Sequence, residues 1–289
     1  MANSPRILIA EGNTRERNEK LVSAGARTGS GCYQQAVKFL FPDARVDILA
    51  AADLDARMPD GKAIADYDGF IMGGSGLNLP GGEQDPHICQ QVELAKTVFE
   101  AGVPFLGSCW GLQVAAAASG GRVAVNPRGR ELGIARKISV TPEGRGCGLF
   151  DGKASVFDSP AIHFDEVTHL PAGGVALATN GHTSVQAASI SFRSGTFWGV
   201  QYHLEFDLAH MADLIRGYHE LLVSEGFFQD TPAALAHATQ LDVLHQNPDR
   251  MDLAWLLGID QDVLDPRIRY REIDNWIRRQ VIPAITLRA

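Results

Sequence analysis

No run of apolar residues in the chain approaches the roughly 20 needed to cross a bilayer as a helix, so a helical membrane protein is not expected. A basic cluster is missing too. The 26 lysines and arginines stand against 34 aspartates and glutamates, a formal charge of -8, whereas phosphate neutralisation needs a basic face. No nucleic-acid partner is expected. Cysteine is scarce: Cys32, Cys89, Cys109 and Cys147 are widely spaced, with no C-x-x-C pair. That pattern suits neither a zinc site nor a disulfide framework, and it fits a reducing cytoplasm. Nothing calls for a metal or another cofactor. Residues 1–6 carry no apolar signal-peptide core, and repeats and low-complexity tracts are absent. What the chain does have is apolar mass. At 45% hydrophobic residues over 289 positions, it can fill the core of one large domain or two modest ones.

The first two hundred residues alternate short apolar runs with longer amphipathic stretches. Arg6–Ala10, Val46–Ala50, Gly69–Met72 and Val103–Gly107 are compact apolar runs, of the kind that forms buried parallel strands covered on both faces. Helices are expected between them: Gln34–Phe41, closed by Pro42; Asp85–Ala101, with Pro86 at its start; and Leu112–Ser119, stopped by Gly120-Gly121. This rhythm predicts an α/β fold, an open and mostly parallel sheet with helices on both faces. From Gly121 to about Gly195, turn-rich alternating runs predict a small antiparallel β excursion. Phe197–Tyr202 returns to the buried-strand pattern, and Leu208–Phe227 reads as a long helix. Beyond Gln229 the chain reads as helical, with Thr231-Pro232 and Asp265-Pro266 as helix starts. In the last helix Tyr270, Ile273, Trp276 or Ile277, and Gln280 or Val281 form one apolar face. It either packs on the main body or docks a partner, and packing is the reading adopted.

The chemistry concentrates at three strand ends. Gly107-Ser108-Cys109-Trp110-Gly111 lies where an apolar strand meets an alanine-rich helix, the setting of a nucleophile elbow. The helix N-terminus beside Cys109 favours a thiolate, and the Trp110 N–H is placed to meet an oxyanion. The plainer reading is a buried structural thiol with glycines present for packing. An activated thiol needs a base and the base needs an orienter. His203 and Glu205, two residues apart at the end of another apolar strand, supply both types. Met72-Gly73-Gly74-Ser75-Gly76 follows a third strand. Without a nearby lysine it is no phosphate cradle, and Gly74 is expected to give its N–H as a second oxyanion donor. Cys32, Cys89 and Cys147 have no such setting. His163, Asp165 and His169 form too small a set for a metal site.

Together these pieces resemble the class I (triad) glutamine amidotransferases, and the amidotransferase domain of GMP synthase in particular. The resemblance runs from about Arg6 to about Leu222. It rests on G-S-C-W-G-L-Q at Gly107–Gln113, G-G-S-G at Gly73–Gly76 and W-G-V-Q-Y-H-L-E at Trp198–Glu205, with Glu131-Leu-Gly133 and His163-x-Asp165 as weaker landmarks. It implies a flavodoxin-like sheet, with residues 1–228 as the amidotransferase domain and 229–289 as a helical extension packed on it. By the same resemblance Cys109 is the nucleophile, His203 the base and then the acid, and Glu205 its orienter. Gly74 and Trp110 form the oxyanion hole, while Gly73, Gln113, His163 and Asp165 bind substrate. The implied reaction hydrolyses the glutamine side-chain amide through a γ-glutamyl thioester and frees ammonia. The sequence shows no ATP-binding or synthetase motif, so the ammonia acceptor would be a separate synthetase. The alternative is a self-sufficient hydrolase of γ-glutamyl amides or peptides with the same Cys-His-Glu triad. A non-catalytic binding protein is the third reading, and the intact triad argues against it. Leu204 stands where the family usually has proline, which removes a stiffening residue between His203 and Glu205.

Overall fold

The computed structural model describes residues 4–288. Eleven strands lie in it: β1 (Arg6–Ala10), β2 (Arg45–Leu49), β3 (Gly69–Met72), β4 (Phe105–Ser108), β5 (Arg122–Val125), β6 (Glu131–Val140), β7 (Val156–His163), β8 (Asp165–His169), β9 (Gly174–Thr179), β10 (Ala187–Phe192) and β11 (Gly195–Val200). Nine join one sheet in the order β2-β1-β3-β4-β11-β10-β9-β6-β7. The first five run parallel, and pairing is antiparallel from β11 onward. The excursion is therefore larger than a small attachment: β10, β9, β6 and β7 extend the main sheet, and only β5 and β8 pair apart.

The parallel half is covered on both faces, as its uniform apolarity requires. Every residue of β3 and β4 is buried. Along β1 the side chains alternate. Ile7 and Ile9 enter one cluster with Tyr33 and Val37, while Leu8 and Ala10 enter another with Phe99, Phe105 and Leu112. Here β2 departs from expectation. It is the edge strand, paired only with β1, and Ile48 is half exposed.

The helices follow in chain order: α1 (Arg15–Ser23), α2 (Gly29–Leu40), α3 (Gly61–Ala65), α4 (Pro86–Ala101), α5 (Trp110–Ala118), α6 (Pro142–Gly146), α7 (Leu208–Ser224), α8 (Thr231–Gln246), α9 (Met251–Leu257), α10 (Gln261–Leu264), α11 (Pro266–Arg269), α12 (Arg271–Trp276) and α13 (Ile282–Arg288). A π-helical turn, Ile277–Val281, joins the last two. Two starts differ from the sequence reading. α2 begins at Gly29, because the Thr28 side chain accepts a bond from the Gly31 N–H and caps what reads as a glycine loop. In α8 the cap is Asp230, which accepts from the Ala233 N–H, and Thr231 is already helical. No helix among the described residues is long and apolar enough to cross a membrane.

The apolar face foreseen in the last helix is buried. Tyr270, Ile273, Trp276, Ile277 and Val281 join the cluster under β1 and β3. A Cβ at Gly69 would come within 2.6 Å of the Trp276 ring, so glycine admits the indole against the strand. A buried ion pair ties the same segment to the strand end before His203. Lys153 donates to Glu272 Oε1 at 2.6 Å, and so does the Tyr202 hydroxyl, also at 2.6 Å.

Candidate functional site

Cys109 occupies the turn between β4 and α5 with φ 50 and ψ -101, a conformation that a residue with a side chain rarely adopts. The flanking glycines make that turn possible. A Cβ at Gly111 would collide with the Met72 carbonyl, and one at Gly107 would lie 2.8 Å from both Gly111 and Phe197. The helix begins at Trp110, one residue after the thiol, so the Trp110 N–H is among the first-turn donors that no helical carbonyl can reach. Its indole is fixed elsewhere, with Nε1 donating to Gln91 Oε1 at 2.8 Å.

The second strand end lies alongside. β4 and β11 are parallel neighbours, with Gly107 opposite Gly199 and Ser108 opposite Val200. The Cys109 N–H donates to the Val200 carbonyl at 2.8 Å. Although β11 has ended by then, His203 and Glu205 still meet: Nδ1 donates to Glu205 Oε1 at 2.8 Å. Leu204 points into the core, so the pairing forms without proline. Ser108, unremarked in the sequence, adds a second bond to Oε1 at 3.0 Å. Burial works against a charged His203, but Glu205 and Cys109, acting by charge and hydrogen bond, outweigh it and raise the imidazole pKa to about 10. Phe206 stacks on the ring, 4.0 Å between centroids and 5° between planes. Gly74 presses on the imidazole from another side, and a Cβ there would lie 2.5 Å from its Cε1. Gly74 is thus confined by the base.

Cys109, His203, Gly74, Gln113, His163 and Asp165 all line one cavity of about 340 Å³. Gly73 does not. Its carbonyl accepts from the Gly111 N–H at 3.2 Å, which makes it part of the elbow's support. Gln113 Nε2 donates to the Asp165 carbonyl at 3.0 Å and lies 3.3 Å from Gln201 Oε1. Both nitrogens of His163 are engaged, Nδ1 with the Asp165 carbonyl at 3.0 Å and Nε2 with Glu131 Oε2 at 2.8 Å. Glu131 gathers two further donors, Asn180 at 2.6 Å and Gln186 at 2.7 Å. Burial alone would raise its carboxyl pKa, yet these donors, His163 foremost, hold it below the ordinary value. Asp165, which lines the cavity, is less well matched. Its Oδ1 is buried without a hydrogen-bond partner, and burial raises its pKa against the opposing charges of His163 and Arg130.

The opposite wall comes from α1 and α7, and the sequence reading missed it. Phe206, Leu214, Tyr218, Leu21 and Arg17 face the cavity there. Spacing of four along α7 was the available signal, but only the fold shows which face meets the site. Among the other thiols, burial pushes Cys32 up to about 12, so it stays protonated.

An open α/β sheet that sets a cysteine on a strand–helix elbow beside a carboxylate-held imidazole is a framework for amide hydrolysis by a thiol nucleophile. The chain belongs to the class I glutamine amidotransferase family, whose description, "Glutamine amidotransferase class-I", matches residues 57–216; members of this family are hydrolytic enzymes. It is 31% identical over 284 residues to a gamma-glutamyl-L-1-hydroxyisopropylamide hydrolase of Pseudomonas sp, covering 96% of this chain and 94% of that one. It is 35% identical over 133 residues to the glutamine-hydrolysing GMP synthase of Alcanivorax borkumensis, matching 45% of this chain and only a quarter (25%) of the synthase. The crystal structure of a glutamine amidotransferase from Thermotoga maritima superposes with a TM-score of 0.66 at 16% identity, covering 96% of this chain and 99% of that one. That likeness speaks for the fold alone.

Proposed function

We propose that this chain hydrolyses γ-glutamyl amides substituted on the amide nitrogen, with residues 1–228 carrying the chemistry and 229–289 bracing it. Of the two catalytic readings set out above, this one is carried by the cavity, which continues past Cys109 and His203 along α1 and α7 and so has room beyond the reacting amide. The full-length relative named for a substituted γ-glutamyl amide supports it.

The chemistry follows from the contacts. The Cys109 thiolate attacks the γ-carbonyl carbon, and the developing oxyanion meets the N–H groups of Gly74 and Trp110. As the tetrahedral centre collapses, the C–N bond breaks and His203 gives its proton to the departing amine. A γ-glutamyl thioester remains. Water, deprotonated by His203, attacks it, releasing glutamate and restoring the thiolate–imidazolium pair. Glu205 and Ser108 hold the imidazole in orientation. At the acyl end the unpartnered Asp165 oxygen suits an α-ammonium, while Gln113 and His163 hold the Asp165 segment in place.

Hydrolysis of glutamine with ammonia passed to a separate synthetase is the second reading, favoured by the match to GMP synthase. One substrate panel decides between them. The purified chain is expected to release amine from substituted γ-glutamyl amides unaided, with a higher kcat/KM than for glutamine, and Cys109→Ala is expected to abolish this. Glutamine hydrolysis that wakes only when a synthetase is added would favour the second reading. No hydrolysis of any γ-glutamyl amide would overturn both.

A further inference from the structure

Three arginines stand in the cavity wall, and two are already matched with acids. Arg27 pairs with Asp207 at 2.6 Å, and Arg130 with Glu225 at 2.8 Å. Arg17 has no carboxylate partner among the described residues. Its Nη2 donates to the Tyr218 hydroxyl at 3.1 Å, and its Nε is buried with no hydrogen-bond partner. A guanidinium is a planar fork of five donors shaped for a carboxylate, and leaving a buried donor unmatched is costly. The loop beside it is cut to fit, since a Cβ at Gly76 would run into the guanidinium itself.

We infer that Arg17 is a specificity-determining residue that binds a carboxylate on the departing amine, so that γ-glutamyl conjugates of α-amino acids or short peptides are preferred over those of neutral amines. This rests on the hydrolase reading above. The position of the leaving group supports it. The nitrogen must reach His203 to collect its proton, so its substituent starts beside that ring. Phe206 covers the ring, and His210 packs on Phe206 with centroids 4.2 Å apart. From His210 the α7 face continues through Leu214 to Tyr218 at helical spacing, and Tyr218 holds Arg17. Leu21, one turn along α1 from Arg17, lines the same stretch. The surroundings of the leaving nitrogen are therefore the leucines and the His210 imidazole, whose Nδ1 is buried without a partner, with the Arg17 cation beyond them. An amino acid attached through its nitrogen carries its carboxylate two bonds from that nitrogen, and the short route to Arg17 runs along the loop, where Gly74 lies against the His203 ring and Gly76, two residues on, against the guanidinium. The acyl end has its own unmatched group across the cavity, the Asp165 oxygen.

The test compares γ-glutamylalanine with γ-glutamylalaninamide, which differ only in carboxylate against carboxamide. The wild-type chain is expected to prefer the carboxylate by about 10-fold in kcat/KM, the scale of one charge-assisted contact. Arg17→Gln should reduce that preference to near unity, chiefly through KM, and Arg17→Lys should restore part of it. An equal loss on both substrates would overturn the inference, because Arg17 would then serve a group common to both, such as the γ-glutamyl α-carboxylate, or the fold. Wild-type hydrolysis of both without preference would overturn it with no variant needed, leaving the hydrolase reading intact. Hydrolysis of neither would remove the hydrolase reading and this inference together.

Discussion

The two walls of the cavity differ in the kind of group each leaves unmatched. On the side of β6, β7 and β8, Glu131 accepts from His163, Asn180 and Gln186, and the groups left unmatched beside it include two acceptors, Asp165 Oδ1 and Gln186 Oε1. On the side of α1 and α7, apolar side chains and the His210 imidazole surround a guanidinium whose Nε donor is unmatched. Spare acceptors suit a cationic group and spare donors an anionic one. In the proposed reading, the first wall takes the α-ammonium of the γ-glutamyl group and the second the carboxylate of the leaving amine.

The largest expected effect lies between the walls, at the chemistry they share. His203→Ala should cost about 10⁴-fold or more in kcat, because thiolate formation and leaving-group protonation fail together, while Glu205→Ala should be roughly 10²-fold less severe. Single-turnover release of glutamate measures both. Small and equal losses would mean that the residues between the walls do not act as a unit.

A stability measurement sharpens the first wall. Glu131→Gln turns an acceptor of three bonds into a group with its own donors, and should destabilise the fold by about 1–3 kcal/mol in urea titration. Hydrogen exchange at the ends of β7 and β8 should rise with it. An unchanged midpoint would show that the network does not stiffen this wall.

The smallest effect concerns the imidazoles on either side of Phe206. Burial, aided by the charge of Arg27, lowers the His210 pKa to about 3, below the unfolded value near 6.5. The unfolded chain then takes up a proton that the folded chain refuses, so this group withdraws stability as pH falls from about 6.5 toward 3. For His203 the sign reverses. With its pKa raised to about 10, its contribution is fully present below about 6.5 and is lost as pH rises through 10. His210→Asn should flatten the acid limb of stability against pH and leave the alkaline limb alone. An acid limb unchanged from wild type would remove His210 from the account.

Much of the proposed catalytic end was readable in one dimension. Glycines around Cys109, apolar strands before Cys109 and His203, and the two-residue step from His203 to Glu205 are local, and each carries its own steric reason. Less was legible in the excursion. Glu131 and His163 stood out only as isolated landmarks, because their bond crosses between β6 and β7, and Asn180 and Gln186 belong to no motif. The exposure of β2 was hidden for a related reason: an apolar run does not say whether it has one neighbour or two.

Arg17 and Tyr218, 201 positions apart, mark the limit. Short-range sterics set the elbow, since a side chain at 107 or 111 collides with atoms only a few bonds or one strand away. Pairing across the sheet and the packing of α1 against α7 depend on which distant surfaces bury one another, a choice made by the whole chain at once. Amino-acid order alone therefore picks out the proposed nucleophile and base. The folded arrangement decides which distant side chains surround them.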